Sequence, residues 1–156
     1  MERAVAALQM QVAQKRIQFD VEIPKDINPL IEADHALLQQ ALQNLVENAI
    51  KYTEIGGQVS VKVRVQGDQM IFEIQDNGIG IAPADQQRLF EKFYRAAPRG
   101  MKSERGSGLG LAIVRSIAER HGGRVWLRSQ LGKGSTFFLA IPIKQPKNGS
   151  DDARSS

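Results

Sequence analysis

Along the 156 residues the apolar positions change period several times, and each change marks an element. Val5, Leu8 and Val12 form one stripe in "ERAVAALQMQVAQKR", so residues 2–16 are expected to be helical. "IQFDVEI" then alternates Ile17, Phe19, Val21 and Ile23, the pattern of a strand buried on one face and stopped by Pro24. Two prolines make residues 24–33 a loop. Asp34 stands where an N-cap is needed for a helix over about 35–53, which "EIGGQ" ends. Strict alternation returns in "VSVKVRV" (59–65) and, across a turn at Gly67-Asp68, in "MIFEIQ" (70–75), together a hairpin. A short helix over about 83–94 would carry Leu89, Phe90 and Phe93, and a longer one over about 109–121 would end at Gly122 and Gly123. "RVWLRSQ" and "STFFLAIPI" read as two last strands around the "LGKG" turn. Residues 146–156 lack apolar content and are expected to be a disordered tail.

Hairpins dominate this order. The expectation is an α/β two-layer sandwich, with a mixed, mostly antiparallel sheet and helices on one face. The length suits one domain around one core. With 42% hydrophobic and 24% charged residues, the composition is that of an ordinary globular domain.

The net charge of +4 is modest, and no Lys/Arg run exceeds two residues, so nucleic acid is not an expected partner. The basic excess gathers in "RAAPRGMKSER" (95–105), where Arg95, Arg99, Lys102 and Arg105 face a single Glu104. That stretch is either a solvated loop or a local attraction for anions. Cysteine is absent, which excludes disulfides and thiolate metal sites and agrees with a reducing compartment. There is no apolar run of membrane-spanning length and no signal-peptide pattern, so a soluble chain is expected.

Within the helix over 35–53, "NLVENAIKY" places Asn44, Asn48 and Lys51 on one face, within roughly 60° of arc, with Tyr52 at its edge. Leu42, Leu45, Val46, Ala49 and Ile50 fill the opposite arc. Asparagine is a poor helix former because its amide competes for backbone hydrogen bonds, and a solvated face normally carries Glu, Lys or Gln instead. Three glycine clusters stand at element boundaries: Gly78 and Gly80 in "DNGIGI", Gly106, Gly108 and Gly110 in "GSGLG", and Gly132 and Gly134 in "LGKG". The last is explained by a β-turn alone. "GSGLGLAIV" lets backbone approach a ligand closely, and the helix behind it presents free N–H groups, a combination that suits phosphates. It is not a Walker A loop, for no Gly-Lys-Ser/Thr follows, and the charged "PRGMKSER" before it is not a Rossmann strand.

Taken in order, these segments resemble the boxes of the GHKL nucleotide-binding domains, most closely the catalytic domain of the sensor histidine kinases. "NLVENAIKY" resembles the N box, "DNGIGI" the G1 box, "LFEKFYR" the F box, "GSGLGLAI" the G2 box and "GKGST" the G3 box, over roughly residues 30–143. The resemblance implies the Bergerat sandwich, with ATP and Mg²⁺ as cofactors. Asn48 is then the implied Mg²⁺ ligand, with Asn44 beside it orienting metal or phosphates. A hard cation held mostly by water and phosphate needs only a neutral oxygen or two from protein. Lys51 would neutralise phosphate and Tyr52 pack against the nucleoside. Asp76 would accept from the adenine amino group, where guanine offers a carbonyl oxygen instead. Gly78 and Gly80 would leave room for the base beside Ile81. Gly106, Ser107, Gly108, Leu109, Gly110 and Leu111 would wrap the phosphates. Thr136 would help close the adenine pocket. Residues 82–105 would form a lid, with Phe90 and Phe93 as anchors or as plain core, and Arg95 or Arg99 reaching the γ-phosphate.

Neither histidine lies in a phosphoacceptor pattern. His121 sits at a helix C-terminus, where a partly protonated imidazole suits the dipole, and His35 follows an N-cap. Residues 1–16 are expected to lead from a dimerisation and phosphoacceptor domain, with residues 17–145 as the catalytic domain. Related ATPases of the GHKL group place a glutamate four residues before the magnesium asparagine. Asn44 stands there, and an amide cannot take a proton from water at neutral pH. Glu47 points elsewhere, about 60° round the helix from Asn44. The implied activity is therefore γ-phosphoryl transfer to a histidine of a separate domain, in a cytoplasmic part of a homodimeric parent that relays to a response regulator. The alternatives are a non-catalytic ATP-dependent interaction module and a GHKL ATPase or serine kinase.

Overall fold

The computed structural model describes residues 2–23, 34–91 and 110–143. Helix α1 (Glu2–Lys15) ends at Arg16, whose left-handed φ of 52° turns the chain into strand β1 (Gln18–Glu22). Asp34 caps helix α2 (His35–Lys51), its carboxylate accepting the Leu37 N–H at 3.1 Å. Strands β2 (Gln58–Gln66) and β3 (Gln69–Asp76) form the expected hairpin. A four-residue helix α3 (Pro83–Gln86), helix α4 (Gly110–Arg120) and strands β4 (Arg124–Gln130) and β5 (Gly134–Pro142) complete the order.

The five strands lie in the order β1-β2-β3-β5-β4, parallel between β1 and β2 and antiparallel elsewhere. This is the mixed, mostly antiparallel sheet that the hairpins implied. On one face Val59 and Val63 of β2, Phe72 and Ile74 of β3, and Phe137, Leu139 and Ile141 of β5 pack against Leu45, Ala49 and Ile50 of α2 and Val114 and Ile117 of α4. The helices therefore share one side, as expected of a two-layer sandwich. On the other face a small cluster of Ile71, Phe138 and Ala140 lies under Trp126, whose ring stacks on Phe138 at 5.0 Å between centroids.

Helices α2 and α4 run antiparallel and are tied at both ends. Near one end the Asn44 amide donates to the Gly110 carbonyl at 3.4 Å. At the other, the Asp34 N–H donates to His121 Nε2 at 3.0 Å while His121 Nδ1 lies 2.7 Å from the Ile117 carbonyl. Both ring nitrogens are thus engaged with backbone groups, one of α4 and one of the α2 cap. His121 is a staple between α4 and the cap of α2, a contact the sequence did not reveal.

Two expectations are corrected. The alternation in 17–23 does not report a buried face. Ile17 is buried, but every side chain of β1 is exposed, Val21 at 54%, and Ile23 just beyond the strand is 61% exposed. β1 lies at the sheet edge with β2 as its one neighbour in the order. The helix expected over 83–94 is only Pro83–Gln86; beyond it Arg88 N–H bonds back to Asp85 and Glu91 N–H to Arg88, three residues away. These tighter turns set Leu89 into the core and put the Phe90 ring edge-on to Phe137 at 6.2 Å. Phe90 is thus a core residue, whereas Phe93 and the expected tail at 146–156 lie outside the described residues.

Candidate functional site

At one end of the sheet the inward row changes character. Going across from β4 to β5, Val125 pairs with Leu139 and Leu127 with Phe137, and then Ser129 pairs with Ser135. Ser135 in turn pairs with Asp76, and Asp76 with Val59. Cross-strand partners point to the same face, so Ser129, Ser135 and Asp76 form a continuous polar strip at the margin of an apolar core. Asp76 and Ser135 are buried, each 6% exposed.

Asp76 carries the strongest electrostatic signal. Burial pushes its carboxyl up to about 6, against the opposing pull of the Gly78 and Ser135 backbone N–H groups, which both bond to it. The Gly78 N–H lies 2.9 Å from Oδ1. Among the described residues no cation pairs with this carboxylate. It is held for hydrogen bonding, not for a salt bridge.

The loop after Asp76 threads between the end of α2 and the β4–β5 turn. The Ile79 N–H donates to the Tyr52 carbonyl at 3.3 Å, and the Ile79 carbonyl accepts from Gly132 N–H at 2.7 Å. A Cβ on Gly78 would overlap the Tyr52 carbonyl oxygen. At Gly80, φ is 75° and a Cβ would overlap the Gln130 carbonyl oxygen. Both glycines thus allow close backbone packing within the protein. Ile81 packs on the core, and its N–H donates to Ser129 Oγ at 2.8 Å.

The asparagine helix face sits beside this loop. Asn44, Asn48, Lys51 and Tyr52 are all half-buried. Asn44 is engaged with Gly110, so its amide holds α4 against α2. Lys51 Nζ lies 5.4 Å from the centre of the Tyr52 ring. Tyr52 caps α2, its N–H directed at the Asn48 and Ile50 carbonyls. Below them Lys15 Nζ donates to the carbonyls of Ile50, Lys51 and Thr53 at 2.9, 2.9 and 3.1 Å, closing the C-terminus of α2 from the α1 side. Glu47 accepts from Gln43 one turn earlier at 3.4 Å.

Lys51, Tyr52, Asp76, Gly78, Gly80 and Ile81 therefore lie around the end of α2 and the loop leaving β3, with Asn48 one turn and Asn44 two turns back along the helix. Gly110 opens α4 and Leu111 packs on the core. Thr136 does not join Asp76: it pairs with Gln75, on the opposite face of the sheet. Arg95, Arg99, Gly106, Ser107, Gly108 and Leu109 lie outside the described residues. Three residues that the sequence reading passed over belong to the site: Ser135 beside Asp76, Ser129 beside Ser135, and Gln86, whose Nε2 donates to the Ile81 and Ser129 carbonyls at 2.8 and 3.2 Å. The adjacent hydroxyls of "GST" offered a signal, but not which of the two faces inward.

Comparison with known proteins agrees with this arrangement. The family described as "Histidine kinase-, DNA gyrase B-, and HSP90-like ATPase" matches residues 33–145. The sensor-like histidine kinase SenX3 of Mycobacterium bovis is 45% identical over 125 residues, covering 79% of this chain and 30% of that protein. The chain thus spans about a third of the length of that curated relative. Among solved structures, the mycobacterial sensor histidine kinase MprB superposes with a TM-score of 0.76 at 27% identity, covering 93% of this chain and 96% of that one. Full-length ShkA in complex with AMPPNP gives a TM-score of 0.77 at 29% identity, covering 93% of this chain and 29% of that one. Among the described residues, no helix is long and apolar enough to cross a membrane.

Proposed function

This chain belongs to the histidine kinase-, DNA gyrase B- and HSP90-like ATPases, and from that premise we propose that it binds Mg-ATP and donates the γ-phosphoryl group to a histidine on a separate dimerisation and phosphoacceptor domain. The observation that carries the reading is Asp76. A buried carboxylate without a cation is expensive to keep, and two backbone N–H groups fix its orientation. Its free acceptor capacity suits the exocyclic amine of adenine; guanine would bring an oxygen against an oxygen. ShkA, a relative of similar fold, was solved with an adenine nucleotide analogue, which supports the same ligand class here.

Asn48 is the residue we assign to Mg²⁺. Its amide makes no hydrogen bond among the described residues, so the oxygen is available, and it adds no negative charge beside a polyphosphate. No three acidic or histidine side chains gather among the described residues to hold a metal by themselves. A cation here would draw its other ligands from nucleotide and water. It would draw charge from the phosphates, while Lys51 approaches from the same helix face. The roles of Arg95 and Arg99 toward the γ-phosphate, and of Gly106, Ser107, Gly108 and Leu109 around the phosphates, remain part of the proposal.

The helix chemistry favours transfer over hydrolysis. Asn44 is an amide engaged with Gly110, and Glu47 is turned toward Gln43, so neither provides a base to activate water. An imidazole is nucleophilic without such help: its nitrogen bonds to the γ-phosphorus, the bridging P–O bond breaks, and ADP leaves. In the parent protein the phosphoryl group would pass to a response-regulator aspartate, and the domain would lie in the cytoplasm. Incubation with γ-labelled ATP and a separately supplied histidine-bearing helical acceptor tests the reading. Label on the acceptor, absent with Asn48→Ala, is the expected result. Tight ATP binding with no label transferred to any acceptor would favour the non-catalytic module instead.

A further inference from the structure

We propose that Ser129 is a positioning residue for base recognition: from β4 it orients the Ser135 hydroxyl beside Asp76 and anchors the loop leaving Asp76 through the Ile81 N–H. The inference rests on the nucleotide-binding reading above and assigns a role to a residue outside the five boxes. One hydroxyl makes three contacts. Ser129 Oγ accepts from Ile81 N–H at 2.8 Å, lies 2.7 Å from Ser135 Oγ and 3.0 Å from the Gly134 carbonyl oxygen.

Proton bookkeeping shows what these contacts do. The Ile81 N–H takes one lone pair of Ser129, leaving one lone pair and one proton. If that proton goes to the Gly134 carbonyl, Ser135 donates to Ser129 and presents only lone pairs elsewhere. If it goes to Ser135, the Ser135 proton is released toward its surroundings. Ser129 thereby decides whether the hydroxyl next to Asp76 donates or accepts. The two states differ by rotation of two hydroxyls, so the strip can match either kind of polar edge on a base that Asp76 has already oriented.

The same residue holds the loop. Residues 77–81 cross from β3 to β4, and Ile81 N–H to Ser129 is their last tie. Gln86 reinforces it from the far side by donating to both the Ile81 and Ser129 carbonyls. An alanine at 129 would leave the Ile81 N–H and the Gly134 carbonyl without that partner, and Ser135 without its orienting neighbour. Half-burial of Ser129 limits replacement by water.

Calorimetric titration of ADP into the wild-type chain, Ser129→Ala, Ser129→Thr, Ser135→Ala and the double Ser129→Ala/Ser135→Ala tests this. Ser129→Ala is expected to weaken ADP about tenfold, with Thr restoring most of it. The loss is expected to shrink in the Ser135→Ala background, because the orienting contact is then already gone. Equal affinity of wild type and Ser129→Ala, or the same loss in both backgrounds, overturns the role. Should Ser129→Ala melt before the titration temperature, hydrogen exchange on wild type decides: a protected Ile81 amide supports the tie and a freely exchanging one overturns it. A wild-type chain that does not bind ADP removes the nucleotide reading itself, a result distinct from a binding wild type with an equally binding variant.

Discussion

Asp76 and Ser135 face one another across β3 and β5, and the Ser135 backbone N–H joins that of Gly78 in donating to the one buried carboxylate among the described residues. All five strands contribute a residue to the row in which this pair sits, from Phe19 of β1 through Val59 to Asp76, Ser135 and Ser129. The pair ends an otherwise apolar interior at the place where α2 ends and the loop from β3 begins. The consequences below follow from holding a carboxylate there.

Burial lifts the Asp76 carboxyl to about 6, so the hydrogen-bond-accepting carboxylate dominates at neutral pH and is lost in mild acid. ADP affinity is expected to fall about tenfold between about pH 7.5 and about pH 5, since protonation at one unit below the pKa removes the acceptor from about nine molecules in ten. Asp76→Asn should give no ADP binding at either pH. Calorimetry at the two pH values checks both.

The same shift acts on stability, with the opposite sign to a salt-bridged carboxylate. The folded-state pKa lies above the ordinary 3.8, so the contribution favouring the fold is complete below pH 3.8 and lost as pH rises through about 6. Above that, keeping the charge buried costs about 3 kcal/mol as an order of magnitude. Asp76→Asn is therefore expected to melt no lower than wild type at about pH 7.5 while failing to bind ADP. Thermal melts with and without ADP read both quantities.

Lys15 closes the C-terminus of α2 by donating to three carbonyls. Lys15→Met keeps the stem and removes the donors, and is expected to destabilise the domain by about 1–3 kcal/mol. Because the carbonyls flank Lys51 and Tyr52, ADP affinity should also weaken by severalfold. Urea unfolding and titration of the variant check the two effects.

At Gly80 a side chain meets both a positive φ and the Gln130 carbonyl. Gly80→Ala is expected to cost more than about 2 kcal/mol by combining backbone strain with displacement of the loop from the β4–β5 turn. The urea midpoint should drop. Gly67→Ala, at a similar φ of 63° but with open space around it, should cost less.

Local chemistry in the sequence specified much of this architecture. Asp34 as a cap, the Gly67 hairpin and the glycine ends of α4 depend on neighbours a few residues away, and the structure places them as read. Burial of β1 depended on what covers a sheet edge, which alternation cannot report. In "STFFLAIPI" both faces are apolar, Phe137 and Leu139 inward, Phe138 and Ala140 outward, so the period does not reveal which hydroxyl joins Asp76. Pairing with β3 decides it, in favour of Ser135 and against Thr136. Ser129 escaped for the same reason, since its importance is a cross-strand property. The bond from the Asp34 N–H to His121 likewise spans two elements far apart in sequence.

Titration of ADP and GDP, in parallel, into the wild-type chain and Asp76→Asn at about pH 7.5 tests the central claim most directly. Binding of ADP without binding of GDP, lost in a folded Asp76→Asn, is the predicted result. Equal affinity for the two nucleotides, or ADP binding that survives the substitution, would contradict Asp76 as the residue that reads adenine.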